Sequence, residues 1–371
     1  MRSVIALLII LLAPVHAAGG EEVPLIHTTD LFHPPADPDD HLDLATLFAL
    51  DEFDIRAVLL DRAVMQSTAA GEPDREPGFV PVVQLCYVTG RSAPVAAGPA
   101  APLKSPADPA TDRPRREQAA IDLLLRALRE SPEPVVVTVL GSARIVTAAF
   151  NRDPDLLRRK VRSVVVNAGS SGDDASEYNV MIDVAAYVGL FRSGLPIDWY
   201  PCAAPGPNRS VALNTADQNS YWKAAHADLF RSLPQPLLGW FVHGFAANGR
   251  GDLLRALREQ GRGSAGAMLM QGERHMWSTA SMALAAGRVL AKTTEGWRFV
   301  SAAKAPAGAE MQLLALDPVS VTITDDGRTK WQPAPGGSLI RLFRRQSGPG
   351  HTFAITEALN ALLRSLPVEP L

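Results

Sequence analysis

Four aspartates lie close together near the start of the chain, at a spacing that suits a hard cation. The apolar, β-branched segment 23–29 predicts a strand, and Asp30 follows it directly. A proline-rich loop then carries Asp37, and the next helical segment opens with Asp39 and Asp40. Carboxylates packed together repel one another and raise one another's pKa values unless a cation lies between them. We therefore expect a site for Ca²⁺ or Mg²⁺, because these ions prefer oxygen ligands.

A structural role explains part of this cluster equally well. Aspartate is common at the start of a helix, where it accepts hydrogen bonds from free backbone N–H groups and interacts favourably with the helix dipole. Asp39 and Asp40 alone could serve that purpose. Asp30 and Asp37 cannot both cap the same helix, so the cluster as a whole favours a binding site.

The rest of the chain predicts the scaffold that positions these residues. Strand-like and helix-like segments alternate, with helices predicted at 40–53, 116–130 and 184–192 and strands at 55–60, 135–140, 161–167, 197–200 and 265–270. Apolar strands separated by helices are typical of an α/β fold, a mostly parallel sheet with helices on both faces. Ligands bind such sheets beyond the carboxyl ends of the strands, so site residues should follow the strands directly.

The chain begins with the pattern of a secretory signal. Arg2 is followed by an apolar run from 4 to 13 and by the small residues of Val15-His16-Ala17. The run is too short to span a bilayer as a helix. We expect residues 1–18 to be a signal peptide and the mature protein to be secreted or periplasmic.

About 350 residues then remain, enough for one large domain with a smaller addition. We expect the α/β domain to span 19–295. From 296 to 371 the helix–strand alternation weakens, and we expect a β-rich C-terminal extension. It would contain short strands at 299–300, 312–316, 319–324 and 339–343 and a closing helix at 353–366, packed on the main sheet or forming a small subdomain.

Composition excludes several classes of partner. The net charge of -3 offers no electrostatic footprint for nucleic acid. No segment after the signal is apolar and long enough to cross a membrane, so we expect no membrane association after cleavage. Cys86 and Cys202 are the only cysteines, and whether they pair stays open.

The order of strand, Asp30, loop, Asp39-Asp40 and amphipathic helix resembles the signature of the inosine–uridine-preferring nucleoside hydrolases. Four later stretches resemble further segments of that family in the same order, namely 89–103, 139–154, 177–197 and 275–277. The resemblance extends from about Leu25 to Leu290, and it implies the Rossmann-like fold of the family. The loop Asp37-Pro38-Asp39-Asp40 and the pair Met276-Trp277 resemble a divergent extracellular branch of the superfamily.

The resemblance also implies a chemistry. In the family, Ca²⁺ binds two ribose hydroxyls and a water molecule, and a metal-bound aspartate deprotonates that water before the glycosidic bond breaks. By position, Asp30 would be this general base and a metal ligand, Asp40 would be a second metal ligand, and Asp39 would hold a ribose hydroxyl. Glu177 and Asn179 would bind the 5′ end of the ribose.

The remaining correspondences include departures from the family. His275 would lie near the leaving base, where an acid assists departure. Asp61 stands where the family has a ribose-contacting asparagine, and Arg144 stands where a backbone carbonyl binds the metal. Met276 occupies the position of the last carboxylate ligand, and a thioether is a poor ligand for Ca²⁺. We expect Asp37, from the longer loop, to replace that ligand.

Three functions follow as hypotheses. The first is a Ca²⁺-dependent N-glycosidase acting on a nucleoside or similar riboside, with a small-molecule riboside or sugar as partner. The second is a non-catalytic carbohydrate-binding protein on the same fold, which Met276 and Asp61 favour. The third, a phosphatase-like metal enzyme, lacks a Lys or Arg beside the aspartates to hold phosphate. The oligomeric state stays open, a homo-oligomer included.

Overall fold

The computed structural model describes residues 22–33, 35, 39–61, 76–172, 177–203, 217–246, 251–259 and 263–369. The predicted signal peptide, 1–18, and the predicted ligand Asp37 lie outside these ranges. No helix in the described part of the chain is apolar and long enough to cross a bilayer.

Nine strands of the described chain form one sheet. Seven neighbouring strands run parallel, in the spatial order β5 (Val95–Ala97), β3 (Phe53–Leu60), β1 (Val23–Thr29), β6 (Val135–Leu140), β7 (Val161–Asn167), β8 (Ile197–Tyr200) and β16 (Ile340–Arg345). The sheet then continues with two antiparallel pairings, β16 to β14 (Leu314–Ile323) and β14 to β15 (Thr329–Pro333).

Helices cover both faces of this sheet. They are α1 (Asp39–Ala49), α2 (Phe79–Thr89), α3 (Arg115–Glu130), α4 (Arg144–Arg152), α5 (Pro154–Lys160), α6 (Tyr178–Met181), α7 (Val184–Arg192), α8 (His226–Phe230), α9 (Gln235–Ala246), α10 (Leu253–Glu259), α11 (Ser264–Met270), α12 (Thr279–Ala285) and α13 (Pro349–Ser365). Neighbouring residues of β1 show the two layers, because side chains alternate along a strand. Leu25 packs in one apolar cluster with α1 and α13, whereas Ile26 packs in a second cluster with α3, α4 and α7.

Three smaller sheets complete the described part of the fold. They are the pair β2 (Phe32–His33) and β4 (Glu76–Pro77), the pair β9 (Trp222–Ala225) and β10 (Glu273–Met276), and the trio β11 (Arg288–Thr293), β12 (Gly296–Ser301) and β13 (Met311–Gln312). A short 3-10 helix follows β12 at Ala302–Lys304.

The predicted fold class is confirmed. The sheet is mostly parallel, helices lie on both faces, and additional antiparallel strands come from the C-terminal part of the chain. Those strands extend the main sheet through the parallel pairing of β16 with β8. The boundary between 295 and 296 stays a prediction.

The strands predicted at 312–316 and 319–324 are largely one continuous strand, Leu314–Ile323. One predicted strand is a helix. The apolar run 265–270, expected to be a strand, lies within the helix α11, Ser264–Met270. A short apolar run does not distinguish a buried strand from a helix by periodicity. Its alanine, leucine and methionine residues favour a helix, and it contains no β-branched residue that would favour a strand.

The two cysteines do not pair. Cys86 lies on α2 and Cys202 follows β8, and both are free thiols. Burial raises the pKa of the Cys202 thiol well above its usual value.

Candidate active site

The site lies where the order of strands reverses. The chain passes from β1 to β3 on one side and later returns to place β6 on the other side of β1. In register, Thr29 pairs with Leu60 and with Leu140, so Asp30, Asp61 and Gly141 follow three adjacent strands directly. Such a switch point is the usual binding crevice of open parallel sheets.

Gly141 leaves room for Asp30 at this point. A Cβ atom on Gly141 would lie 2.9 Å from the Asp30 Cβ, closer than such atoms approach one another. The absence of a side chain at Gly141 therefore allows β1 and β6 to end with the Asp30 carboxylate between them.

The start of α1 contacts the end of β1. Thr29 Oγ1 donates a hydrogen bond of 3.4 Å to Asp40 Oδ1. Asp30, Asp39 and Asp40 are all half-buried, and Asp43 is buried one turn further along α1. The structure thus brings the predicted general base, Asp30, and the start of α1 to the same end of the sheet.

Carboxylates from two other elements approach Cys202, at the end of β8. Burial is the main cause of the raised pKa of this thiol, and the negative charges of Glu177, Asp39 and Asp43 raise it further. Asp39 and Glu177, predicted to bind different parts of a ribose, therefore both act electrostatically on this cysteine.

Glu177 lies at the start of α6 and is 7% exposed. Its Oε1 accepts a hydrogen bond of 3.1 Å from the Asn179 N–H. Its Oε2 accepts bonds of 2.8 Å from Gly169 N–H and 3.2 Å from Val180 N–H. These three backbone donors fix the orientation of the Glu177 carboxylate at the start of α6.

Asn167, at the carboxyl end of β7, connects three parts of the site. Its Nδ2 donates to the Trp277 carbonyl at 3.2 Å, and its Oδ1 accepts from Ser281 Oγ at 2.7 Å. Its backbone carbonyl accepts a 2.9 Å hydrogen bond from Asn179 Nδ2. Sequence reasoning missed this residue, although a polar side chain that ends an apolar strand was a usable signal.

Arg144 and Asp61 are buried beneath the crevice. Asp61 is 0% exposed, and its Oδ2 accepts a 2.7 Å hydrogen bond from Ser142 N–H. The Arg144 guanidinium lies 3.9 Å from Asp61 Oδ1 and 2.7 Å from Asp183 Oδ2. Arg144 was predicted to offer a backbone carbonyl to a metal. Its buried side chain connects Asp61, which follows β3, with Asp183, which precedes α7.

Three aromatic side chains, Tyr221, His275 and Trp277, form a group at the candidate site. His275 is exposed on β10, and its Nδ1 shares a 2.8 Å hydrogen bond with the Tyr221 hydroxyl. The Trp277 ring lies 6.4 Å from the His275 ring, nearly parallel to it, and 5.6 Å from the Tyr221 ring. Burial raises the pKa of the Tyr221 phenol, which keeps it protonated and able to donate.

Met276 supplies no ligand to a cation. It is 0% exposed and packs in the apolar cluster that contains Leu42 and Trp222. Side chains alternate along β10, so His275 faces outward and Met276 faces the core. Within the described ranges, no three His, Cys, Asp or Glu side chains are arranged to hold a metal ion. Asp30 and Asp40 are hard oxygen donors of the right chemistry, but they are only part of a complete set.

Known proteins resemble this chain in sequence. Residues 36–277 match the family described as inosine-uridine preferring nucleoside hydrolase. The pyrimidine-specific ribonucleoside hydrolase RihA of Citrobacter koseri is 27% identical over 180 residues, which are 43% of this chain and 55% of that protein. RihA of an Enterobacter species is 38% identical over 82 residues, 21% of this chain and 26% of that protein. The chain thus spans about half the length of the first of these relatives.

Solved structures share the fold. A purine-preferring ribonucleoside hydrolase from Gardnerella vaginalis superposes with a TM-score of 0.57 at 14% identity, over 92% of this chain and 99% of that one. A plant nucleoside hydrolase superposes with a TM-score of 0.54 at 16% identity, with the same coverage of 92% and 99%. At such identities the likeness shows the fold alone. The family match, in contrast, covers well over half of the sequence, and this chain therefore belongs to the inosine–uridine-preferring nucleoside hydrolase family.

Proposed function

We propose that this chain hydrolyses the N-glycosidic bond of a ribonucleoside or similar riboside. The observation that carries the proposal is the position of Asp30 at the switch point of the sheet, beside the start of α1 with Asp39 and Asp40. A carboxylate at that position can accept a proton from an attacking water molecule.

The reaction needs a base on one side of the sugar and an acid at the departing group. Asp30 takes a proton from water, whose oxygen forms a bond to the anomeric carbon as the bond from that carbon to the base nitrogen breaks. His275 donates a proton to the departing nitrogen. Its exposed position beside Tyr221 and Trp277 supports this role, because flat aromatic side chains can stack on a base.

The sugar is held by the remaining predicted residues. Asp39, at the start of α1 beside the switch point, accepts a hydrogen bond from a ribose hydroxyl. Asp61, which is 0% exposed, supports the site from beneath the crevice through Ser142 and Arg144. Glu177 and Asn179 bind the 5′ end from the start of α6. The charges of Asp39 and Glu177 both act on Cys202, which supports the binding of one sugar at this end of the sheet.

Calcium dependence is a part of the proposal. Asp30, Asp40 and the loop residue Asp37 would hold Ca²⁺, and the Arg144 carbonyl would be a further ligand. When bound, the ion would lower the pKa of a water molecule and orient the sugar. The family is metal-dependent, and two oxygen donors in the described chain agree in type with this ion.

We also propose that the protein acts outside the cytoplasm. The support is the signal-like sequence at residues 1–18. Cell fractionation of a strain that expresses the full chain, followed by N-terminal sequencing of the product, tests this proposal. A cytoplasmic protein with an intact N-terminus would contradict it.

The activity is tested with the mature protein and the variant Asp30→Asn. Base release is measured from inosine, uridine and a p-nitrophenyl riboside, with and without Ca²⁺, and Ca²⁺ is titrated by calorimetry into the parent and into Asp40→Asn. We expect turnover in the parent, at least a 100-fold loss in Asp30→Asn as is common for a general base, and weaker Ca²⁺ binding in Asp40→Asn. Asp155→Asn, at a side chain 79% exposed on α5, is the matched control and should behave as the parent.

A non-catalytic sugar-binding protein is the second candidate. One observation favours it, the burial of Met276 in the apolar core, because Met276 stands at a position where a metal ligand was expected. Calorimetric binding of ribose without base release from any of the three substrates would favour this function. A parent protein that neither binds ribose nor releases base would contradict both proposals.

A further inference from the structure

A hairpin from the C-terminal part of the chain reaches the candidate site. It consists of β14 and β15, in which Ile323 pairs with Thr329 and Val321 with Trp331. Residues two apart on a strand face the same side, so the side chains of Thr329 and Trp331 point in one direction. Thr329 is 3% exposed although β15 is the edge strand of the sheet.

Both side chains donate to consecutive backbone carbonyls of the segment that follows β7. Thr329 Oγ1 donates to the Ser170 carbonyl at 2.9 Å, and Trp331 Nε1 donates to the Ser171 carbonyl at 2.9 Å. Two donors on one rigid strand that meet two adjacent acceptors fix both the position and the orientation of that backbone.

The same hairpin also contacts the helices that follow this segment. Gly327, in the turn of the hairpin, approaches Val180 of α6 so closely that a Cβ atom would lie 2.9 Å from Val180 Cγ1. Arg192 of α7 donates to the Ile323 carbonyl at 3.0 Å and forms an ion pair of 2.8 Å with Asp325. The hairpin therefore contacts the chain both before and after the candidate sugar-binding residues.

The segment after β7 is linked directly to those residues. Gly169 N–H donates a hydrogen bond of 2.8 Å to Glu177 Oε2. Gly169 directly precedes Ser170, whose carbonyl accepts the hydrogen bond from Thr329. Glu177 Oε1 in turn accepts from Asn179 N–H. A shift of the segment would move Gly169, and with it the carboxylate of Glu177.

We infer that Thr329 and Trp331 are positioning residues for the sugar site, which hold the segment 169–172 so that Glu177 and Asn179 bind the 5′ side of the sugar. This inference rests on the proposed function and assigns a task to the C-terminal hairpin. The hairpin then determines substrate affinity without touching the reacting atoms.

The test uses variants of the mature protein, of which Thr329→Val is near-isosteric and Trp331→Phe also removes part of the aromatic ring system. Thr329→Val removes a hydroxyl, Trp331→Phe removes the indole N–H, and Thr329→Ser keeps the hydroxyl and serves as the conservative variant. Thr322→Val is the matched control, because its hydroxyl donates to the Lys330 carbonyl within the same hairpin. Amide hydrogen exchange is followed at Gly169 and Ser171, ribose binding is measured by calorimetry, and KM and kcat are measured for base release.

We expect Thr329→Val and Trp331→Phe each to speed exchange at Gly169 and Ser171 and to weaken ribose binding roughly 2- to 10-fold, the range for one lost hydrogen bond. KM should rise by the same factor while kcat stays within about twofold. Thr329→Ser and Thr322→Val should match the parent in all three measurements.

Two results would overturn the inference. Unchanged exchange at Gly169 and Ser171 in both variants would mean that the hairpin does not position the segment. Faster exchange with unchanged ribose affinity and KM would mean that the segment does not position the sugar site. A parent that neither binds ribose nor releases base would instead contradict the proposed function, while the exchange measurement still decides whether the hairpin positions the segment.

Discussion

Arg144 and Asp183 form an ion pair in which both side chains are almost completely buried, with Arg144 Nε 2.7 Å from Asp183 Oδ2. The guanidinium also donates to the carbonyls of Pro99, Ala100 and Ile182. Asp183 caps α7 through Ala186 N–H and accepts a further bond from Leu103 N–H. One buried pair thus joins the segment after β5, the start of α4 and the start of α7.

Removal of one partner from this pair should be strongly destabilising. Arg144→Met leaves the Asp183 carboxylate buried without its cation, and we expect the free energy of unfolding to fall by about 3–5 kcal/mol. Urea unfolding followed by circular dichroism measures this change. Arg129→Met is the control, because Arg129 pairs with Asp153 while 56% exposed, and it should cost about 0–1 kcal/mol. Equal losses in the two variants would contradict the prediction.

Gly169 should tolerate no side chain. Its φ of +82° is in the left-handed region, and a Cβ atom would lie 2.1 Å from the hydroxyl of buried Tyr187. We expect Gly169→Ala to lower the free energy of unfolding by about 2–5 kcal/mol, the sum of backbone strain and overpacking. Chemical denaturation provides the measurement.

Two further variants separate the causes of that loss. Gly194→Ala, at φ +73° with no atom within 4 Å of the new Cβ, should show only the strain of about 1–2 kcal/mol. Tyr187→Phe removes the hydroxyl that the new methyl group would meet. If Gly169→Ala is no less destabilising in the Tyr187→Phe background, the steric explanation fails.

The hydrogen bond between His275 and Tyr221 predicts how activity depends on the leaving group. His275→Ala should lower kcat with inosine or uridine roughly 100-fold, because the departing nitrogen loses its proton donor. A p-nitrophenolate group departs without protonation, so the same variant should lose only a few-fold on the p-nitrophenyl riboside. Tyr221→Phe, which keeps the ring, should show the same pattern to a smaller degree. Equal losses on both classes of substrate would show that His275 is not the acid.

His27 predicts a dependence of stability on pH. It lies inside β1, where Nδ1 shares a 2.8 Å hydrogen bond with Thr138 Oγ1, and burial lowers its pKa from 6.5 to about 3. Between these values the unfolded chain binds a proton that the folded chain does not. The contribution of the uncharged, buried His27 to the free energy of unfolding is therefore fully present above pH 6.5 and is lost as the pH falls toward 3.

The variant His27→Val removes this titration. We expect the free energy of unfolding, measured by urea denaturation from pH 7 to pH 4, to depend less steeply on pH than in the parent, by at most about 1.4 kcal/mol per pH unit. Thr138→Val breaks the same hydrogen bond without removing a titrating group and should keep the slope of the parent. An unchanged slope in His27→Val would refute the prediction.

Much of the fold was predictable from local patterns in the sequence. The strands 161–167 and 197–200 and the helix 184–192 have the predicted bounds in the structure, because an apolar strand or an amphipathic helix carries its periodicity in its own residues. The run 265–270 was mispredicted because six apolar residues contain too little periodicity to separate a helix from a strand.

The sequence alone also determined which side chains could meet at the site. Asp30, Asp39 and Asp40 follow or begin elements that a parallel sheet must bring to one edge, and Glu177 and Asn179 belong to a recognisable motif. The residues that contact these side chains were not predictable from the sequence. The links from Asn167 to Trp277 and from Arg144 to Asp183 join residues 110 and 39 positions apart.

Only the tertiary structure decided the environment of those side chains. Met276 faces the core because β10 pairs with β9 in a register that sets Met276 opposite Trp222, and that register depends on packing between distant segments. Thr329 and Trp331 reach the Ser170 and Ser171 carbonyls for a similar reason, since the C-terminal strands join the far edge of the main sheet. Local sequence sets which face of an element is apolar, whereas long-range packing sets what each polar group on it will meet.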